Sequence, residues 1–147
     1  MEKKAEDKSE EKVAYLQLIQ EPICRMSTIS AIFKGFAATI VAGIALIQYD
    51  AISIIVLMLS FLPVVAFAIL DIYYLVLERK FRFLYDQVRE GIHGIDFSMM
   101  LTKDKKEIRC AKARVIDCIM SPSIYLFYPV MIGILVVVSI LKCNNIL

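Results

Sequence analysis

The residues able to do chemistry in this chain are few and widely spaced. The only histidine, His93, lies between Gly91 and Gly94, where a solvated turn residue is expected. Nucleophilic and acid–base catalysis need a nucleophile beside a base or paired acids, and phosphate binding often uses a glycine-rich loop. The sequence contains none of these patterns. We therefore expect no catalytic residues and no enzyme activity.

The cysteines do not form a metal-binding pattern. Cys24, Cys110, Cys118 and Cys143 include no Cys-x-x-Cys pair. A zinc site needs about four nitrogen or sulfur ligands at compact spacing. We expect no metal and no cofactor, and we expect the first three cysteines to be free thiols in a reducing compartment.

Two carboxylates lie next to the apolar part of the chain. We interpret Asp71 as a membrane-interface residue and Glu78 as an ion-pair partner, with a proton or ion relay as the alternative. A relay would need further acids within the apolar blocks, which hold none. The i,i+4 spacing predicts ion pairs from Arg82 to Glu78 and to Asp86.

A basic cluster occupies residues 103–114, where six basic residues accompany two acidic ones. Such a cluster next to a membrane attracts anionic lipid headgroups. The alternatives are the ordinary excess of positive charge on the inner side of a membrane, or a site for an anionic small-molecule signal. We expect no nucleic-acid partner. The basic residues are Lys103, Lys105, Lys106, Arg109, Lys112 and Arg114.

The composition indicates that the elements positioning these residues lie in a lipid bilayer. The chain has 147 residues, of which 59% are hydrophobic and 22% charged, and its mean hydropathy is +0.68. A soluble domain this small cannot hide so much apolar surface. The apolar residues form blocks at 29–49, 51–70 and 123–141, each near the ~20 residues that a spanning helix needs. The predicted fold is an all-α integral membrane protein with three transmembrane helices.

The first 70 residues are predicted to form an inner segment and a hairpin. Residues 1–28 form a cytoplasmic segment, with a frayed or disordered start at 1–12 and a short amphipathic helix that Pro22 should break or restart. Residues 29–70 form a transmembrane hairpin with a very short turn at 48–50. Pro63 should kink its second helix, and Lys34 should extend its ammonium to the headgroups.

The remaining residues are predicted to form a cytoplasmic helical segment and the third span. In residues 71–122, the second helix continues into the cytoplasm until Gly91 and Gly94 end it, and another helix is expected over 108–119. Ser121 and Pro122 are typical of a helix start. The third span covers 123–141, and residues 142–147 form an external tail.

The distribution of lysine and arginine predicts the topology. The flank up to residue 28 has five such residues, the 48–50 turn none, the segment from Arg79 to Arg114 ten and the tail one. Since these residues are enriched on the cytoplasmic side, the amino terminus is predicted inside and the carboxy terminus outside the cell membrane.

Two helix faces are candidates for contacts. Small residues recur every four positions in the first block, a pattern that lets membrane helices approach closely, either within the hairpin or between copies of the chain. This small-residue ladder consists of Ala31, Gly35, Thr39 and Gly43.

The second face lies on the helix that leaves the membrane, where apolar and aromatic residues exceed what the bilayer explains. Four partners are open: residues 95–101, the amino-terminal helix, a second copy, or another protein. This exit-helix face consists of Tyr73, Tyr74, Leu77, Phe81, Leu84, Tyr85 and Val88.

The run from Leu70 to Arg89 also carries a resemblance. Together with Lys34-Gly35-Phe36 and Asp96-Phe97-Ser98-Met99, it resembles a group of small, uncharacterised bacterial multi-pass membrane proteins. In that group the pattern reads roughly LDxYxLxxExxFRxLYxxVR after a transmembrane helix. The resemblance implies a bacterial inner-membrane location and adds a role in bacterial defence as a hypothesis, but it assigns no activity to any residue.

We expect a non-enzymatic protein that self-associates in the bilayer and acts as a membrane effector or channel-like assembly controlled through its cytoplasmic helices. The alternative is a membrane anchor or adaptor that recruits a cytosolic protein and forms no pore. Three helices per chain cannot enclose a water-filled channel, so a channel would require an oligomer.

Overall fold

The structure of the chain is a computed structural model, which describes residues 2–46, 54–101 and 103–143, with side chains from 8–44, 55–101 and 103–141. Within these ranges all regular structure is helical. The helices are α1 (Glu2–Leu46), α2 (Ile54–Leu59), α3 (Phe61–Glu90), α4 (Lys105–Cys110), α5 (Val115–Ile119), α6 (Pro122–Tyr125) and α7 (Phe127–Cys143).

Helix α1 is unbroken, so the predicted frayed start and the predicted break at Pro22 are wrong. Glutamate, lysine and alanine, which dominate residues 2–12, are strong helix formers. Pro22 leaves the carbonyl of Leu18 without its helical partner, but Leu18 is exposed and water can bond that carbonyl. The neighbours Ile19 and Ile23 are buried, and their packing offsets the cost of about 3 kcal/mol that proline imposes on a helix interior.

Prolines interrupt the second and third apolar blocks. In each block the helix breaks about one turn before the proline. The ring of a helical proline clashes with the carbonyl four residues earlier, which for Pro63 belongs to Leu59 and for Pro129 to Tyr125. Helix α2 ends at Leu59 and α6 ends at Tyr125. The predicted disturbance at Pro63 is thus confirmed as a break at Ser60, and the third block is divided at Leu126.

Helix α3 continues through residues 71–90, as predicted, and ends at Glu90, directly before Gly91. The Gly91 N–H donates to the Val88 carbonyl at 3.2 Å, and the Ile92 N–H donates to the Gln87 carbonyl at 3.0 Å. This pair of bonds is a Schellman cap, which needs a left-handed residue, and Gly91 has φ +76°.

The predicted helix over 108–119 is wrong in its middle. The chain forms α4 and α5 instead, and Lys112 between them adopts φ +49°. Arg79 of α3 holds this turn, because its Nη1 donates to the Lys112 carbonyl at 2.6 Å. At the next boundary Ser121 is the N-cap and Pro122 opens α6, as predicted.

Two stretches, Lys8–Ile44 and Ile55–Glu90, are long and apolar enough to cross a membrane. A third span requires that Lys105–Tyr125 and Phe127–Leu141 count as one bent span. The predicted turn at 48–50 and the last four residues of the tail lie outside the described residues.

The chain divides into two compact units. The first unit comprises residues 1–28 and 74–118, and its core joins α1 to α3. The second unit comprises residues 29–73 and 119–147, and within it α7 contacts α2 and α6. Buried apolar residues of the second unit are Ala37, Val41, Leu57, Val64, Ile124, Tyr128 and Leu135.

Candidate functional site

A charged cluster lies within the second unit, centred on Asp71. This carboxylate is only 1% exposed, and its Oδ2 lies 2.7 Å from Nζ of Lys34. The Ser30 hydroxyl donates to Asp71 Oδ1 at 2.5 Å, and Lys34 Nζ donates to the Ser30 hydroxyl oxygen at 2.7 Å. The Tyr128 hydroxyl lies 3.2 Å from Asp71 Oδ2 and 3.3 Å from the Phe67 carbonyl oxygen. We call Ser30, Lys34, Asp71 and Tyr128 the polar cluster.

Helix geometry brings the polar cluster together from three elements. Ser30 and Lys34 are one turn apart on α1 and therefore share a face. Asp71 comes from α3, and Tyr128 comes from the first turn of α7. Every oxygen of the carboxylate has a partner, and the lysine balances its charge. Because an unpaired charge in an apolar interior is costly, the arrangement holds α1, α3 and α7 in one register.

The polar cluster departs from the sequence prediction for Lys34. Its side chain is 19% exposed and pairs with Asp71 instead of extending freely to the headgroups. The sequence spacing could have predicted this pairing. Lys34 lies 16 residues before Asp50 in the hairpin turn, and Asp71 lies 21 residues after it. The difference is five residues, or about 7.5 Å along a helix, which a lysine side chain can cover.

The small-residue ladder faces away from the rest of the second unit. Ala31, Gly35, Thr39 and Gly43 are all exposed, and a Cβ placed on either glycine meets no atom within 4 Å. The Thr39 hydroxyl donates to the Gly35 carbonyl at 2.9 Å.

Helix α1 buries another side in the second unit, which includes Ala37. Residues two positions apart, such as Gly35 and Ala37, lie about 200° apart around a helix. Among the described residues, the ladder therefore does not pack against the other helix of the hairpin.

Most residues of the exit-helix face are buried or partly buried in the core of the first unit. Of the four partners that the sequence left open, the amino-terminal helix provides the main contact, and Leu101 packs against the same core. Tyr73, which belongs to the second unit, is 59% exposed. The core of the first unit consists of Tyr15, Ile19, Ile23 and Met26 from α1 and Phe81, Leu84 and Val88 from α3, flanked by Leu16, Tyr74, Leu77 and Tyr85.

Tyr15 holds the loop after α3, a contact that the sequence analysis missed. Its hydroxyl donates to the Ser98 carbonyl oxygen at 2.5 Å and to Asp96 Oδ1 at 3.2 Å, and its ring centroid lies 5.3 Å from that of Phe97. The Ser98 N–H also donates to Asp96 Oδ1 at 3.0 Å. These bonds lower the pKa of the Asp96 carboxyl below its ordinary value, and the bond from the Ser98 N–H has the largest effect. The spacing of Asp96 and Ser98 is typical of an Asx turn.

The ion pairs along α3 differ in part from the predicted ones. Arg82 Nη2 lies 2.7 Å from Glu78 Oε1. Asp86, however, pairs with Arg89 at 3.3 Å rather than with Arg82.

The basic cluster is only partly assembled. Four of its six residues, with Ile108, line a cavity of about 360 Å³, and the other two, Lys103 and Lys112, are not part of the lining. The four are Lys105, Lys106, Arg109 and Arg114.

The described part of the chain contains no group of three or more histidine, cysteine or acidic side chains placed to hold a metal ion. The candidate functional features of the described residues are the polar cluster, the exposed ladder and the basic cavity. No protein-family model, curated protein or solved structure matches this chain.

Proposed function

We propose that the chain is a non-enzymatic membrane protein that self-associates through the small-residue ladder of α1. The observation that carries the proposal is the exposure of all four ladder residues, with open space around Gly35 and Gly43. In a bilayer, helices gain little from apolar burial, so close backbone approach at small residues drives their association. A second copy of α1 fits this face better than a bulky side chain of the same chain would.

The assembly would act as a membrane effector or channel-like device. Thr39 is the polar residue of the ladder, and its hydroxyl is bonded to its own backbone. Ser60 and Ser139 likewise donate to the Leu57 and Leu135 carbonyls. A pathway lined by such hydroxyls and apolar side chains offers no charged selectivity ring, and it would gate by exclusion of water.

Control is proposed to come from the first unit, which is expected in the cytoplasm. Helices α1 and α3 contribute residues to both units without a break. A change in the packing of Ile19 and Leu84 in the first unit is proposed to act through α1 and α3, which also carry Gly35 and Asp71 of the second unit.

The test has two parts. The mass of the full chain purified in mild detergent should correspond to several copies, and a strict monomer would overturn the proposal. Expression in cells, followed by dye entry and membrane potential, should show a permeability change. An oligomer that never alters permeability under any condition would support the anchor function instead.

A second candidate, the anchor or adaptor, is favoured by one observation in the first unit. Ile92 and Met100 are 72% and 83% exposed and border a cavity of about 350 Å³. Lys80, Phe83 and Glu107 also line it, so the cavity offers both apolar and charged contacts to a cytosolic protein. Replacing Ile92 and Met100 with serine should abolish partner recruitment in the adaptor, and should leave permeability unchanged in the effector.

A further inference from the structure

Unpaired positive charge converges on the cavity between α4 and Arg114. Lys105, Lys106 and Arg109 are exposed, and none of them pairs with an acidic side chain in the described residues. Arg114 lines the same cavity and is bound to Asp117 through two bonds of 2.8 and 3.1 Å. Three cations are thus free to bind an anion there, whereas the charge of Arg114 is balanced by Asp117.

The acidic residues of this segment do not line the cavity. Asp104 caps α4 by accepting the Lys106 N–H at 3.0 Å. Glu107 borders the separate cavity next to Lys80. The positive charge at α4 is therefore not neutralised from within the lining.

The fold holds this arrangement through Arg79. Its Nη1 donates to the carbonyl oxygens of Lys112 at 2.6 Å and of Asp117 at 3.0 Å. Lys112 adopts the left-handed region at φ +49°, a conformation that is unfavourable for a residue with a side chain. This turn brings Arg114 back towards the cations of α4, and the Arg79 bonds stabilise it.

Exposed apolar side chains come directly after Arg114, a residue of the cavity lining, in the sequence. Val115 and Ile116 are 56% and 69% exposed and come immediately after Arg114. The third apolar block begins at Ser123, seven residues after Ile116. A basic surface followed by exposed apolar residues, close in sequence to a candidate span, is typical of a segment at the boundary between headgroups and acyl chains.

We propose that the α4–α5 segment binds the headgroup phosphate of an anionic phospholipid. Lys105, Lys106 and Arg109 bind the phosphate, and Val115 and Ile116 enter the acyl boundary. The inference rests on the expected bilayer location and is independent of self-association, because all of these residues belong to one chain and to the first unit.

The test is a lipid titration of the full chain in non-ionic detergent, with thermal unfolding as the readout. Phosphatidylglycerol should raise the midpoint of unfolding, and phosphatidylcholine should not. In Lys105→Gln/Arg109→Gln, the phosphatidylglycerol concentration for half of the effect should rise roughly thirtyfold, because each basic residue at an anionic surface contributes about a fivefold gain in binding. The control variant Lys8→Gln/Arg25→Gln removes the same charge from exposed positions on α1. It should change the phosphatidylglycerol concentration for half of the effect by less than about threefold.

A second variant separates the lipid from a soluble anion. Val115→Ser/Ile116→Ser changes exposed residues only, so folding should be kept, and it should weaken the phosphatidylglycerol effect severalfold. Equal shifts in the two charge variants would overturn the proposal, since they would mean unspecific attraction. Inorganic phosphate that stabilises the wild type at the same concentration as the lipid would also overturn it, in favour of a soluble anion.

Discussion

The ammonium of Lys34 lies 2.7 Å from the carboxylate of Asp71, which is only 1% exposed. The two residues come from α1 and α3, and each lies within one of the two stretches long and apolar enough to span a membrane. Ser30 and Tyr128 complete the hydrogen bonding of the carboxylate. The pair therefore sets the register of α1 against α3 within the second unit.

Removing one member of this pair should have unequal effects. Lys34→Met leaves a buried carboxylate without its counter-charge, and should lower the free energy of unfolding by about 3 kcal/mol or more. Asp71→Asn keeps hydrogen bonds to Ser30 and Tyr128, and the partly exposed Lys34 can move towards water, so its cost should be smaller. Thermal or chemical unfolding in detergent measures both.

The double variant provides the control for this prediction. Lys34→Met/Asp71→Asn removes both charges and should be more stable than Lys34→Met alone, because paired groups in contact are not additive. A sum of two independent losses would contradict the pairing.

The packing of the exit-helix face predicts a contrast between two identical substitutions. Leu84 is buried against α1, whereas Leu18 is exposed on α1 within the same unit. Leu84→Ala should destabilise the first unit by about 2–5 kcal/mol, and Leu18→Ala should change stability by less than about 0.5 kcal/mol. Unfolding followed by circular dichroism measures the difference, and equal effects would mean that the face is not internal core.

The contact between Tyr15 and Asp96 predicts a pH dependence of the loop at 95–101. The Ser98 N–H holds the pKa of Asp96 below its ordinary value of about 4. The stabilisation is therefore fully present above that ordinary value, and it is lost as the pH falls through the lowered pKa. Proteolysis of the loop by an acid-tolerant protease should accelerate over this range in the wild type.

Asp96→Asn isolates the effect from the other carboxylates. Its loop should show a weaker acceleration as the pH falls, because residue 96 no longer titrates. Tyr15→Phe should increase cleavage at every pH, since it removes the bonds to Asp96 and Ser98. Identical pH profiles in the wild type and Asp96→Asn would contradict the prediction.

The cysteines test the predicted topology. Cys24 and Cys110 are exposed, whereas Cys118 is buried. In single-cysteine variants, a membrane-impermeant maleimide should label Cys24 and Cys110 only after the cells are permeabilised, and Cys118 should react slowly under both conditions. Labelling of Cys24 on intact cells would mean that the amino terminus is outside.

Local signals predicted much of the fold, and long-range contacts determined the rest. The end of α3 at Gly91 and the start of α6 at Ser121 follow from capping preferences within a few residues, which a sequence displays directly. The continuity of α1 through Pro22 depends on its packing against α3, and the turn at Lys112 depends on Arg79, so neither could be predicted from nearby residues.

The same distinction applies to the candidate sites. The spacing of Gly35 and Gly43 revealed a small-residue ladder, but only the hairpin packing shows that it faces outward. The pairing of Lys34 with Asp71 needed the register of two helices, and Tyr128 could join only through the third. Charge density alone predicted the basic cluster, while the turn at Lys112 selects which of its residues share a cavity.

The most direct test of self-association through the ladder is the mass of the detergent-solubilised chain in three forms. The wild type should be an oligomer, and Gly35→Leu/Gly43→Leu should be smaller, with its helix content and unfolding unchanged because both positions face open space. Gly133→Leu, also a glycine in open space but on α7, should keep the wild-type mass. A monomeric wild type, or an unchanged mass in Gly35→Leu/Gly43→Leu, would contradict the account.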